Sequence, residues 1–446
     1  MTQTWQQSLR PPTVSTNGLD GDQPPDHGLE DRLHQLLIRD LDESILRPGD
    51  RDDIRARVEA AARLLAAENF PGLVGDLKEE TVARVVDEVI GLGPIEPLLR
   101  DPTITEVMVN APNEVYIERD GVILPTEVAF RDEAHVNRII DRIVARLGRH
   151  VDEASPMVDA RLPDGSRVNI IIPPLTARGA AITIRKFRQD RYTLNDLVGI
   201  GSLSSEMAAL LAACVKARLS IVVSGGTGSG KTTLLNALSE HISEAERIVT
   251  IEDPLELKLQ QRHVIAMERR PPSAEGRGEV TQRELLRNAL RMRPDRIVVG
   301  EVRGAEAFDM MQAMNTGHEG SLTTVHANSP RDGLGRIEQM ILMAGFDLPV
   351  SAIREQMASA LHIIIQLTRL SDGRRKVVNL TEVSGMEGPI VTLQDIFVYQ
   401  QTGVAPDGTV LGEMHPTGIR PKFTDRLRAA GVDVNEATFD VARWRR

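Results

Sequence analysis

The chain has 446 residues, 41% of them apolar and 26% charged, with only 3% aromatics and a formal net charge of −11. That profile belongs to a soluble globular protein large enough for more than one domain, and it lacks the basic, aromatic-rich track of a motor that grips nucleic acid. The single cysteine, Cys214, excludes a disulfide framework and a tetracysteine zinc module; with no membrane-length apolar run and no basic-then-apolar leader, the expectation is a cytoplasmic protein.

Residues 1–28 combine Pro11, Pro12, Pro24 and Pro25 with several glycines and few large apolar groups, and they read as a disordered start. Residues 29–90 form a helical segment: apolar positions recur at helical spacing (Leu33, Leu36, Leu37; Val58, Ala61, Ala62, Leu65; Val82, Val85, Val86, Val89, Ile90). Pro48-Gly49 and Pro71-Gly72 divide it into three short helices. Residues 91–191 mix strand and helix. Val115-Tyr116-Ile117 and Val122-Ile123-Leu124 flank a turn at Arg119-Asp120-Gly121, and a helix face follows at Val136, Ile140, Ile143, Val144 and Leu147. Strands at Val168–Ile172 and Ile182–Ile184 complete a smaller α+β domain. From 192 to 446 strands alternate with helices, the pattern of a parallel sheet covered by helices. Candidate strands are Ser220–Ser224, Arg247–Ile251, Arg296–Val299 and Ser321–His326. Thr281 and Glu284 form a capping box before a helix, and after about residue 360 short strands, Ile363–Leu367 and Val377–Leu380, flank a Ser371-Asp372-Gly373 turn.

The chemistry gathers in the last of these regions. Gly225-Gly226-Thr227-Gly228-Ser229-Gly230-Lys231-Thr232 is a G-x-x-x-x-G-K-T phosphate-binding loop, set between an apolar strand and an amphipathic helix. Its glycines let backbone N–H groups turn inward around a polyphosphate, and the helix start adds positive partial charge. Lys231 is placed for the β- and γ-phosphates and Thr232 for Mg²⁺, and the phosphate-binding set extends to Thr233. Arg296–Glu301 is an apolar strand ending in a carboxylate, where Glu301 either holds a metal-bound water or polarises the attacking one; the bland alternative is a solvated strand-end glutamate. Glu252, Asp253 and Glu256 crowd a second strand end and repel one another unless a cation offsets them. Alone they would be a solvated loop; beside the P-loop they suit Mg²⁺ or water activation. His318 and His326 read either as packing histidines or as a relay, with Thr323, Thr324 and Asn328, that reports on the γ-phosphate. Arg167, Arg178, Arg185, Arg188 and Arg191 could salt-bridge locally or reach a phosphate.

Taken in order, Gly225–Thr232, Thr250–Glu256, Arg293–Glu301 and Gly317–His326 resemble the Walker A, Asp box, Walker B and His box of the type II/IV secretion ATPase superfamily. Asn288–Asp295, Ala313–His318, Val325–Asp332, Gly91–Ile95 and Thr417–Pro421 resemble its CpaF-type (Tad/Flp pilus) branch. The resemblance covers the chain from about residue 30 onward, and the absent tetracysteine zinc motif separates it from the type II branch. It implies an α/β fold, with a RecA-like P-loop motor domain preceded by the smaller α+β domain and the helical segment. It also implies ATP and Mg²⁺ as ligands, a homohexamer, and peripheral contact with inner-membrane pilus platform proteins, with no nucleic acid. By position, Lys231 and Thr232 are the Walker A pair, Glu301 the Walker B carboxylate, Glu256 the water-activating residue, and Glu252 and Asp253 its Mg²⁺ support. His326 falls on the His box. Arg185, and more weakly Arg167, match arginines that contact phosphate from the N-terminal domain, with a hinge expected near Asp190–Thr193.

Overall fold

The computed structural model describes residues 27–40, 51–119, 121–146, 150–187, 192–272 and 277–444. The chain divides into two compact units between Lys186 and Phe187, a few residues before the boundary expected from sequence.

The first unit opens with α1 (His27–Asp40), α2 (Arg51–Asn69) and α3 (Gly75–Ile90). Their apolar stripes meet in one small core holding Leu33, Leu37, Val58, Ala62, Val82 and Val86. The short α4 (Glu96–Arg100) leads to β1 (Ile104–Ala111), β2 (Glu114–Arg119), β3 (Val122–Pro125), α5 (Glu133–Arg146), β4 (Met157–Arg161), β5 (Arg167–Ile171) and β6 (Ala181–Arg185). The strands form an antiparallel sheet in the order β3-β2-β1-β6-β5-β4. Val136, Ile139, Ile140, Ile143 and Val144 of α5 are buried in its core, each contributing about 1.5–3 kcal/mol. Polar contacts join α5 to the end of α3: His135 Nε2 lies 3.0 Å from Glu88, and Arg142 donates to the Glu88 and Gly91 carbonyls at 2.5 and 2.9 Å. Buried Asp87 is bracketed by Arg55 at 2.7 Å and by Arg100.

The second unit begins with α6 (Leu194–Gly199), capped by a reciprocal Thr193–Asp196 box, and α7 (Ser205–Lys216). It continues through β7 (Ile221–Gly225), α8 (Lys231–Ser239), β8 (Ile248–Glu252), β9 (Val264–Glu268), α9 (Gln282–Ala289), β10 (Arg296–Val299), α10 (Glu306–Asn315) and β11 (Leu322–Val325). The expected Thr281–Glu284 capping box opens α9. Then come α11 (Pro330–Met343), α12 (Val350–Ala360), β12 (Ile363–Arg369), β13 (Arg375–Glu387), β14 (Ile390–Val404), β15 (Val410–Pro416) and α13 (Thr424–Ala429).

The nine strands run in the order β15-β14-β13-β12-β7-β11-β10-β8-β9. From β12 to β9 every pairing is parallel, and from β12 to β15 every pairing is antiparallel. Strands β7, β8, β10 and β11 are buried along their whole length, which is why β-branched and apolar residues dominate them without alternation. Alternate side chains feed two cores. Ile221, Val223 and Val298 pack with α7 and α8 on one face, while Val222, Ile297 and Val299 pack with α10, α11 and α12 on the other. The unit is therefore the RecA-like α/β layer expected, and its parallel strands all end at one edge. The C-terminal region holds longer strands than the sequence indicates, with β13 and β14 running 13 and 15 residues.

Candidate functional site

The P-loop joins β7, the middle strand of the nine-stranded sheet, to α8. Gly228 and Gly230 hold φ of +67° and +96°, and Gly230 caps α8 in the left-handed conformation without any side-chain cap. A Cβ on Gly225 would stand 2.5 Å from Ser229 Oγ and 2.7 Å from the Leu367 carbonyl, so this position has room only for glycine. Gly226 and Gly228 face open space. Ser229 is buried and its hydroxyl donates to the Gly226 carbonyl at 2.9 Å, tightening the loop. Lys231, also buried, donates to the Gly225 and Gly226 carbonyls at 3.0 and 2.8 Å. Burial lowers its pKa, Glu301 and Glu256 pull it back up, and Arg303 opposes them. Thr232 and Thr233, half-buried, sit in the first turn of α8 beside it. An uncapped helix start, a glycine-lined opening and a buried ammonium are the donor set a polyphosphate requires.

Beside the loop, β10 runs between β8 and β11 and delivers Glu301 just past its end. Gly300 is fixed by its N–H to the Ile251 carbonyl and by the Thr324 hydroxyl on its own carbonyl, at 2.9 and 2.7 Å. Glu301 accepts from Arg303 at 2.7 Å and lies 3.8 Å from His326 Nε2. Arg303 also reaches Asp253 at 3.5 Å, and Arg269 closes on the same carboxylate. The carboxylates beside it raise the Arg303 pKa, the hydrogen bond that Arg303 donates to Glu301 being the largest cause. His326 is held below the usual imidazole pKa, first by burial and then by the Lys231 charge. It therefore stands neutral near pH 7, one ring nitrogen facing Glu301.

Glu252 is placed differently from its acidic neighbours. It is 1% exposed, and its carboxylate accepts from the backbone N–H groups of Glu256 and Leu257 at 2.6 and 2.8 Å and from the Thr250 hydroxyl at 3.1 Å. Burial raises its pKa against those hydrogen bonds. Glu252 thus pins the segment that carries Glu256, and Glu256 in turn acts electrostatically on Lys231 and Arg303.

The structure brings Lys231, Glu301, His326, Asp253 and Glu256 to one edge of the second unit. His318 stands apart from them: its backbone follows α10, and its Nδ1 is buried without a partner. Arg167, Arg178 and Arg185 belong to the first unit. Arg161, Arg167, Arg185 and Glu106 form one rung across β4, β5, β6 and β1, with Arg185 3.7 Å from Glu106. Arg178 pairs with Glu114 at 3.3 Å. Arg188, Arg191 and the first half of the expected hinge lie outside the described residues.

Sequence reasoning missed Arg303 and Arg269, which neutralise the strand-end carboxylates. Arg303 was open to detection, because it follows Glu301 by two positions at the same strand end. It also missed Arg296. This residue is fully buried, pairs with Glu246 at 2.6 Å, and donates to the Gly320 and Val215 carbonyls at 2.6 and 2.5 Å.

A family model described as type II/IV secretion system protein matches residues 88–405. A Mycobacterium tuberculosis protein, by name assigned to conjugal transfer, is 37% identical over 350 residues, spanning 77% of this chain and 98% of its own. The type IV secretion system protein VirB11 of Bartonella henselae is 32% identical over 348 residues, 68% of this chain and 94% of its own. The crystal structure of the VirB11 ATPase of the Brucella suis type IV secretion system aligns at 32% identity and a TM-score of 0.35, over 64% of this chain and 94% of that one.

Proposed function

The chain belongs to the type II/IV secretion system protein family, and on that premise we propose that it is an ATP-hydrolysing motor of an envelope-spanning machine. The observation that carries this reading is the convergence of a glycine-lined P-loop, buried Lys231 and the Glu301–His326 pair at the C-terminal edge of one parallel sheet, where ligands of such sheets collect. The loop N–H groups and Lys231 hold the β- and γ-phosphates. Glu301 and Glu256 orient the attacking water and receive its proton, and neutral His326 registers whether the γ-phosphate is present. Mg²⁺ would be held by Thr232 and Asp253, with Glu252 supporting the loop through its bonds to the Glu256 and Leu257 N–H groups, and would supply charge neutralisation on the phosphates. Arg303 donates to one Glu301 oxygen and reaches Asp253, so turning Arg303 away would open the whole Glu301 carboxylate to water. Arg185 and Arg167 are assigned to phosphate contact through the family resemblance.

The Tad/Flp pilus branch is favoured by the segments Asn288–Asp295 and Val325–Asp332, and with it a homohexamer that works on inner-membrane platform proteins. Among the described residues no helix is long and apolar enough to cross a membrane, so contact with such a platform is peripheral in this proposal. A second reading, a conjugation-type traffic ATPase, is supported by the names of the relatives that share 32–37% identity.

The test is steady-state ATPase activity of the full chain with and without Mg²⁺, beside Lys231→Ala and with sedimentation in the presence of nucleotide. The motor predicts Mg²⁺-dependent turnover that Lys231→Ala abolishes, in a species six times the monomer mass. Nucleotide binding without turnover at any protein concentration would contradict it. A chromosomal Lys231→Ala allele separates the two readings, since one predicts loss of surface pili and the other loss of transfer.

A further inference from the structure

Glu301 follows β10, two strands to one side of the P-loop strand β7; on the other side lie β12 and then β13. Two arginines face each other at the P-loop end of that ladder. Arg369 and Arg375 are partners in the antiparallel register of β12 and β13. Cross-strand partners point to the same face, so the two guanidinium groups lie on one side of the hairpin. Their face is also that of Leu367, whose strand partner is Gly225 and whose Cδ2 lies 3.8 Å from where a Cβ on Gly230 would stand.

Arg375 reaches the cradle itself. Its Nε donates to the Gly228 carbonyl at 2.9 Å, across 147 positions of sequence. Its Cδ lies 3.4 Å from the same imagined Cβ on Gly230, so the arginine stem crosses the last glycine of the loop. The backbone beneath it is fixed from two directions. The Ser202 hydroxyl donates to the Arg375 carbonyl at 2.8 Å, and the Val377 N–H donates to the Ser202 carbonyl at 2.9 Å. The preceding turn is tied by Asp372, which accepts from the Val410 N–H and from Arg374 Nε, each at 2.8 Å. Those bonds hold its carboxyl well below the usual carboxylate range, Arg374 being the largest cause. A guanidinium on so rigid a hairpin is pre-organised, and its planar fork of five N–H donors matches a phosphate.

We propose that Arg375, seconded by Arg369, contacts the phosphate chain of the bound nucleotide from the side opposite Glu301, at its α-phosphate end. This rests on the reading of Gly225–Thr233 as a nucleotide site. The bond to the Gly228 carbonyl sets the Arg375 guanidinium at the rim of the loop, from which its other N–H groups reach the phosphates. Because the contact lies away from the γ-phosphate, it contributes equally to ATP and ADP.

The experiment is a fluorescence titration of the full chain with ADP and with a non-hydrolysable ATP analogue, comparing wild type, Arg375→Ala, Arg375→Lys and Lys231→Ala. The proposal expects Arg375→Ala to weaken both nucleotides by the same factor, about ten- to a hundredfold. It expects Arg375→Lys to recover part of that loss, KM for ATP to rise in step, and the nucleotide-free Tm to stay within about 2 °C. Unchanged affinity in Arg375→Ala, with binding still lost in Lys231→Ala, would overturn this inference alone. A fall in nucleotide-free Tm without a fall in affinity would do the same, leaving Arg375 as a tether of the loop. A loss confined to the ATP analogue would overturn its placement at the α-phosphate end. Failure of the wild type to bind either nucleotide would overturn this inference and the P-loop reading together.

Discussion

Strand β10 carries charge at both ends, and the two ends are built on opposite principles. At its start, Arg296 is fully buried, paired with Glu246 and bonded to two carbonyls, while Arg218 approaches the same glutamate at 3.1 Å. Arg296 and Glu246 are both buried, and neither can turn without leaving a buried charge behind. Just past its other end, Glu301 is 22% exposed and shares Arg303 with Asp253, while His326 waits at 3.8 Å. These partners are half-exposed and exchangeable, as a site that must admit phosphate, metal and water requires. Charge alone does not separate structure from chemistry; the degree to which each charge is already satisfied does.

The largest effect expected from breaking this contrast is at the start of the strand. Arg296→Met leaves Glu246 buried without its main partner, and a loss of about 3–5 kcal/mol in unfolding free energy is expected. Chemical denaturation measures it, and a loss below about 1 kcal/mol would dissolve the contrast. Next is Gly320→Ala. Gly320 has φ +79°, and an added Cβ would stand 2.0 Å from Arg296 Nη1 and 2.8 Å from the Arg218 backbone. About 2–3 kcal/mol should be lost, with turnover per folded molecule unchanged. Glu252→Gln lies between the two regimes, because Glu252 is buried yet holds the segment of Glu256. It should cost about 1–2 kcal/mol and also reduce turnover at least tenfold; loss of stability with full turnover would show that Glu256 does not depend on it.

The smallest effect concerns pH. His362 accepts from the Ser220 N–H at 3.1 Å and is in contact with Arg426. Burial, and then the Arg426 charge, lower its pKa from 6.5 to about 4. The unfolded chain therefore binds the proton first, so this group stabilises the fold fully above pH 6.5 and loses that contribution as pH falls toward about 4. By about pH 5.5, roughly one unit below the ordinary value, the expected loss is on the order of 1–2 kcal/mol. Stability measured across that window should fall less steeply in His362→Gln than in the wild type.

The same contrast explains what the sequence could disclose. The P-loop is contiguous, and β7 and β10 are unbroken apolar runs because both faces are covered, so Lys231 and Glu301 were legible together with their place at a strand end. Strands β9, β14 and β15 were not, because their burial is partial and irregular along their length. Arg296 read as the polar edge of a strand, since an arginine is rarely buried without partners, and its partners Glu246 and Gly320 come from distant loops. Arg375 was invisible for the same reason: its value depends on a strand order that sets β12 beside β7. Glu252 read as one of three equivalent carboxylates, and only the hydrogen bonds from Glu256 and Leu257 separate it from Asp253.

The central claim is that Glu301 serves chemistry and Arg296 serves the fold, and Glu301→Gln tests it most directly. Steady-state turnover should fall at least a hundredfold, about 2.7 kcal/mol of transition-state stabilisation, while ATP still binds and the Tm stays within about 2 °C of wild type. A variant that keeps most of its turnover, or loses turnover only in proportion to its unfolding, would contradict the account.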